Sequence, residues 1–252
     1  MPTEKVSFMG GAGHMLSAKI DSPEGDVKSW VLFAHGFSIG KDLKPIRTIS
    51  KTLVDEGYGM LRFDFTGLGE SEGDFSETNF STNVADLLAC ADYLKTHKKA
   101  PCVLIGHSFG GTAALKAADE IAGCKAVATI GSPCDTTHIV HQFADQLEEI
   151  EVEGKAQVML AGRPFIIREQ FLDDVNNHDI AAEIADLDCA LMILHSPQDL
   201  VVGIDNASHI YSKARHPKSF VSLDGADHLL LKNPADAEYV ARVLAAWASR
   251  YV

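Results

Sequence analysis

One nine-residue stretch constrains this chain more than any other: Val103-Leu-Ile-Gly106-His107-Ser108-Phe109-Gly110-Gly111. An apolar run enters it, and the helix-forming run Thr112–Ala118 leaves it. A strand must therefore turn into a helix within a few residues, with a serine at the apex. Gly106 and Gly110 remove side chains that would collide across so tight a turn, and the alanines let the helix approach the sheet closely. The serine oxygen would then project at a helix N-terminus, where a developing negative charge is favoured. The bland alternative is a Gly-rich turn with a capping serine, which the strand–turn–helix context disfavours.

A nucleophilic serine needs a base, and the base needs an orienting acid. In this arrangement the chain order is serine, acid, histidine. Asp199 lies in a Pro-containing turn just past the apolar run Ala190–Leu194. His228 lies just past Ser219–Leu223, before the last helical stripe. Asp205 and Asp227 are rival acids; Asp227 is disfavoured because side chains of adjacent residues normally diverge. Asp64 precedes the serine and reads as structural, fixing the Thr66–Ser71 loop. An oxyanion site needs two backbone N–H groups. Phe109, directly after the serine, supplies one, and Phe37 in the His35-Gly36-Phe37 loop after Trp30–Ala34 supplies the other. His35 and His107 flank backbone turns and read as structural. His138 and His141, three apart, lack companions at metal-ligand spacing.

Around these residues, short apolar runs alternate with helical stripes. The runs are Trp30–Ala34, Met60–Phe63, Val103–Ile105, Ala126–Ile130, Ala190–Leu194 and Ser219–Leu223. Their near-continuous apolarity is that of strands buried on both faces. Stripes at Ile46–Val54, Val84–Leu94 and Val240–Tyr251 have helical spacing. The pattern predicts an α/β protein, a mostly parallel twisted sheet flanked by helices. Lys5–Met9 and Leu16–Ile20, with no helix between, predict a leading antiparallel hairpin. The alternation stops over 133–187, where a small hairpin lies between helical pieces. An insertion there would sit over the C-terminal strand ends as a cap. The expected division is a core of 1–132 and 188–252 with a cap insertion of 133–187.

Two glycine-rich runs mimic nucleotide sites. Gly36–Asp42 resembles a phosphate loop, but its glycines are one residue too close and Asp42 stands where Ser or Thr belongs. Gly67–Gly73 has a late third glycine and carries Glu70 and Glu72. Of 252 residues, 22 are Lys or Arg and 35 Asp or Glu, a net charge of −13. So acidic a chain repels phosphate backbones and anionic lipid, which argues against nucleic-acid and membrane partners. Glu148, Glu149, Glu151 and Glu153 read as a solvated helix end or loop. Five widely spaced cysteines with no C-x-x-C pair predict neither disulfides nor zinc, but a reducing, cytoplasmic compartment. No secretory leader is expected from the opening residues.

With His35-Gly36-Phe37, Asp64–Ser71, Gly106–Gly111, Asp199 and His228 in view, the chain resembles the α/β-hydrolase superfamily over nearly its whole length. Within it, the chain is similar to small bacterial carboxylesterases, including cinnamoyl (feruloyl) esterases with a compact cap. It is also similar to the hydrolase module that in some bacteria precedes an OsmC-like domain; whether the native protein continues into one is left open. The resemblance implies an α/β-hydrolase fold and a serine esterase with Ser108, Asp199 and His228 as catalytic triad, no cofactor and no metal. Short acyl or arylacyl esters are the expected small-molecule substrates. Phe143, Met159, Phe165 and Phe171 are the expected pocket walls, or else the cap's own core. Thioesterase or peptidase chemistry with the same triad, and a non-catalytic binding module, are the alternatives; homodimerisation is left open.

Overall fold

The computed structural model describes residues 2–252. Ten strands form: β1 (Thr3–Met9), β2 (Met15–Asp21), β3 (Trp30–Ala34), β4 (Gly59–Phe63), β5 (Val103–His107), β6 (Ala126–Ile130), β7 (Lys155–Leu160), β8 (Arg163–Arg168), β9 (Ala190–His195) and β10 (Lys218–Ser222). Eight helices accompany them: α1 (Lys44–Asp55), α2 (Phe80–His97), α3 (Phe109–Ala117), α4 (Leu147–Glu153), α5 (Glu169–Val175), α6 (Ile180–Asp186), α7 (Asp205–Lys213) and α8 (Pro234–Ala248). Eight strands make one sheet in the order β1-β2-β4-β3-β5-β6-β9-β10. β1 and β2 pair antiparallel, as the leading hairpin requires, and β2 meets β4 antiparallel. From β4 to β10 every pairing is parallel.

Each face of the sheet is covered, which explains the near-continuous apolarity of β3 to β6 and β9. On one face Val31, Phe33, Val103, Ile105 and Met192 pack with Ile46, Ile49 and Leu53 of α1 and with Val240, Leu244 and Trp247 of α8. On the other, Leu32, Leu104 and Val127 meet Leu87 and Leu94 of α2 and Ala113 and Ala114 of α3. Fully burying each larger side chain stabilises by roughly 1.5–3 kcal/mol. α2 starts at a reciprocal cap: Asn79 accepts from Thr82 N at 2.9 Å, and Thr82 Oγ1 accepts from Asn79 N at 2.8 Å. A 3-10 segment, Phe75–Glu77, precedes it.

Between β6 and β9 the chain makes the long excursion expected at 133–187. A 3-10 stretch over Thr137–Gln146, kinked at Phe143, leads into α4. β7 and β8 then pair only with each other, followed by α5 and α6. The acidic run expected as a solvated helix end lies in α4, whose four glutamates are all exposed. This insert is tied to the start of α2: Asn79 Nδ2 donates to Gln170 Oε1 at 2.6 Å, and Ser81 N donates to Asp174 Oδ2 at 2.9 Å.

Candidate active site

Ser108 sits between β5 and α3 at φ 51°, ψ −129°. A non-glycine residue there carries strain on the order of 1–3 kcal/mol, which persists only where the surroundings impose it. Here Ser108 N donates to Ile130 O and Gly111 N donates to Ser108 O, both at 2.8 Å. The flanking glycines make the turn possible. A Cβ on Gly106 would lie 2.3 Å from Gly111 Cα, and one on Gly110 would lie 2.2 Å from His35 O.

Asp199 and His228 meet beside it. His228 Nδ1 donates to Asp199 Oδ2 at 2.7 Å, while Oδ1 accepts from Val201 N and Val202 N at 2.8 and 2.9 Å. Burial alone would raise the Asp199 pKa; the His228 hydrogen bond and charge and the two amides outweigh it, so the carboxyl is held below its ordinary value. An ionised carboxylate on Nδ1 leaves Nε2 as the nitrogen that can take a proton. Ser108 and His228 line one cavity of about 180 Å³. Among the described residues the Ser108 hydroxyl makes no side-chain hydrogen bond, so the serine–histidine link is open; catalytic hydrogen bonds of this kind often tighten only when substrate is bound. Gly131 at the end of β6 (φ +55°) clears the space: a Cβ there would lie 3.2 Å from Asp199 Oδ2 and 3.3 Å from His228 Nδ1. Sequence reading passed over this glycine, although its place directly after an apolar run was a signal.

The rival acids have other work. Asp227 accepts from Leu229 N, Leu231 N and Lys232 N, at 3.2, 2.9 and 2.7 Å, and thereby shapes the loop carrying His228. Asp205 lies exposed in the first turn of α7. Asp64 accepts from Lys41 N at 2.7 Å, Glu70 N at 2.9 Å and the Lys41 ammonium, locking the two glycine-rich loops together. Lys41, in the phosphate-loop mimic, is buried in ion pairs with Asp64 and Glu70.

Three buried histidines brace the site through backbone carbonyls. Since a carbonyl only accepts, each ring nitrogen facing one carries the proton. His107 Nε2 donates to His228 O at 2.8 Å. His195 Nε2 donates to Val202 O at 2.8 Å, holding the acid's loop; this role was not read from the sequence. His35 Nδ1 donates to Gly36 O at 2.8 Å, and its Nε2 accepts from Phe65 N at 3.3 Å. Burial lowers all three pKa values, that of His107 to about 3, so the rings are neutral. The His35 contact has a further effect. Gly36 C=O and Phe37 N–H belong to one peptide plane, and the only cis peptide among the described residues is His216–Pro217. In a trans peptide the N–H points opposite the C=O. Holding Gly36 O on His35 therefore fixes where the Phe37 N–H points. Neither Phe37 N nor Phe109 N has a hydrogen-bond partner among the described residues.

The expected pocket walls are elsewhere. Phe143 and Phe171 are buried in the core beside Ile139 and Val175, Phe165 packs on Phe75, and Met159 is 60% exposed. None of the four lines the cavity. The excursion must bury apolar surface of its own, and its aromatic residues are spent there. The walls are instead Phe37, Ser38, Ile39, Gln142, Ala161, Val201 and Leu229, with Gly36, His107, Ser108 and His228. A neighbouring cavity of about 410 Å³ shares Ser38, Ile39, Ala161 and Leu229 and extends the cleft toward Asp42, Glu70 and Arg163. His138 Nε2 donates to Val201 O at 3.2 Å.

Comparison with known proteins agrees with this architecture. Residues 25–159 match the family model described as serine aminopeptidase, S33 (Hydrolase_4). The esterase domain of a Rhodothermus marinus protein superposes with a TM-score of 0.81 at 42% identity, covering 100% of this chain and 99% of that one. Est1E from Butyrivibrio proteoclasticus, solved with ferulic acid bound, shares the fold at a TM-score of 0.79 and 19% identity, covering 98% of each chain. The mitochondrial palmitoyl-protein thioesterase ABHD10 of Rattus norvegicus is 24% identical over 213 residues, which span 82% of this chain and 70% of the relative.

Proposed function

Because the chain belongs to the serine aminopeptidase S33 family of α/β-hydrolases, we propose that it cleaves carboxylic esters through an acyl-enzyme on Ser108. His228 Nε2 takes the Ser108 proton as the hydroxyl attacks the ester carbonyl, and Asp199 stabilises the imidazolium that forms. The Phe37 and Phe109 N–H groups receive the oxyanion. His228 then protonates the leaving alkoxide, and water repeats the sequence to release the acid. Residues 1–132 and 188–252 serve as the catalytic core, and 133–187 as a cap that supplies Gln142 and Ala161 to the cavity. The observation that carries this reading is the shared cavity: a strained serine, a carboxylate-held imidazole and an unengaged Phe37 N–H meet in one place. Its volume of about 180 Å³ and the walls Ile39, Val201 and Leu229 suit short acyl or arylacyl groups. The five free cysteines support a reducing, cytoplasmic setting.

Thioester cleavage is the second reading, favoured by the similarity to palmitoyl-protein thioesterases. Labelling with a fluorophosphonate followed by peptide mass spectrometry tests the nucleophile; the expected adduct is on Ser108, and its absence would reject the assignment. Matched oxyester, thioester and amide substrates of graded acyl length then separate the readings, with short oxyesters turned over fastest.

A further inference from the structure

The two carbonyls that bracket Phe37 are held from opposite sides. Gly36 O is held by His35, from the end of β3 in the core. Ser38 O is held by Arg163, whose Nη2 donates to it across 125 positions of sequence, from the first residue of β8. No other donor reaches Ser38 O among the described residues. Ser38 is buried and has φ +60°, a left-handed conformation that a serine holds only under constraint. The constraint on this loop thus comes in part from the insert. Aromatic contacts repeat the pattern: the Phe37 ring lies 5.5 Å from Phe171 of α5 and 5.3 Å from Phe75, whose ring lies tilted at 4.6 Å from Phe165. The Arg163 guanidinium sits 5.4 Å over that same Phe165 ring, which steadies it for the reach to Ser38.

Resting on the esterase reading above, we propose that Arg163 is a positioning residue for the oxyanion site: by gripping Ser38 O it keeps the strained loop, and with it the Phe37 N–H, in the geometry that receives negative charge. The insert then sets turnover as well as access. Arg163 touches no reacting atom; it acts through the backbone of its partner.

The test uses the full-length protein and the substitutions Arg163→Ala and Arg163→Lys. Losing an oxyanion donor outright costs about 10²–10³ in kcat; a displaced donor should cost less. Arg163→Ala is expected to lower kcat roughly tenfold to a hundredfold, with KM changed less than about twofold. An alkylboronic acid, which binds the serine as a tetrahedral anion, should lose affinity by the same factor as kcat/KM. Arg163→Lys should recover most of the loss, because an ammonium also donates to a carbonyl. Gln157→Ser, on the exposed side of the same hairpin, should change neither constant. A rise in KM at constant kcat would make Arg163 a substrate contact and overturn the proposal. So would unchanged boronate affinity, or a failure of lysine to rescue. A wild-type protein that takes no fluorophosphonate on Ser108 removes the parent reading and this one together. An active, labelled wild type with an indifferent Arg163→Ala removes this one alone.

Discussion

The loops that grow from the sheet and the insert between β6 and β9 brace the same cavity by different physics. On the sheet side the braces are His35, His107 and His195: buried, neutral and donating to Gly36, His228 and Val202 carbonyls. On the insert side they are Arg163, exposed, and His138, half-buried, donating to Ser38 and Val201 carbonyls. A buried donor taken away leaves an unsatisfied carbonyl, costing about 1–3 kcal/mol, whereas water can replace an exposed one. The sheet side is therefore built to be invariant, and the insert side to be adjustable.

The contrast breaks hardest at the chemistry itself. Asp199→Asn should lower kcat by on the order of 10⁴, since an amide can no longer hold the Nδ1–H tautomer and its charge; steady-state kinetics with an unaltered circular dichroism spectrum would check it. Next is His107→Leu, which strips the donor from His228 O and should cost on the order of 10–100-fold in kcat. His107→Gln, able to donate from a similar reach, should restore part of that loss. If both variants match wild type, the buried brace is decorative and the contrast fails.

Acid sharpens the same comparison. His35, His107 and His195 have folded pKa values below the ordinary 6.5. Each therefore contributes stability that is complete above about pH 6.5 and is lost as pH falls toward its folded value, about 3 for His107. The depressed carboxylates, Asp199 and Asp227 among them, act only below their ordinary 3.8. Melting temperature measured between pH 6.5 and 4 should decline less steeply in His107→Gln than in wild type; Asp86, whose carboxyl burial pushes up, and Glu70 respond to acid in both proteins, so the difference between the two reports the imidazole. The smallest effect is expected from His138→Ala, which removes a half-buried donor: kcat and KM within about twofold.

The meeting of Ser108, Asp199 and His228 was legible because each carries a local signal. Ser108 sits between strand and helix among glycines; Asp199 and His228 each follow an apolar run at a turn. Such signals survive because a strand end is a position in sequence as well as in space. The cavity walls had none. Ile39, Val201 and Leu229 are apolar residues in loops, without a period to mark them, while Phe143 and Phe171 looked like walls and became core. Hydrophobicity states that a side chain wants burial, not which interior it will join. Arg163 was hidden for a different reason: its partner is a backbone carbonyl, which every residue possesses.

β6 and β9 lie in direct register, Ala126 against Ala190 and Ile130 against Leu194, although the whole excursion intervenes between them. Thr136 Oγ1 donates to Val175 O, so the stretch from Thr137 to Val175 leaves and rejoins the chain at one place. Grafting a foreign detour at those two points would give the protein a new appetite, provided that what this one lends the site, the Arg163 and His138 donors and the Phe171 packing on Phe37, were carried across.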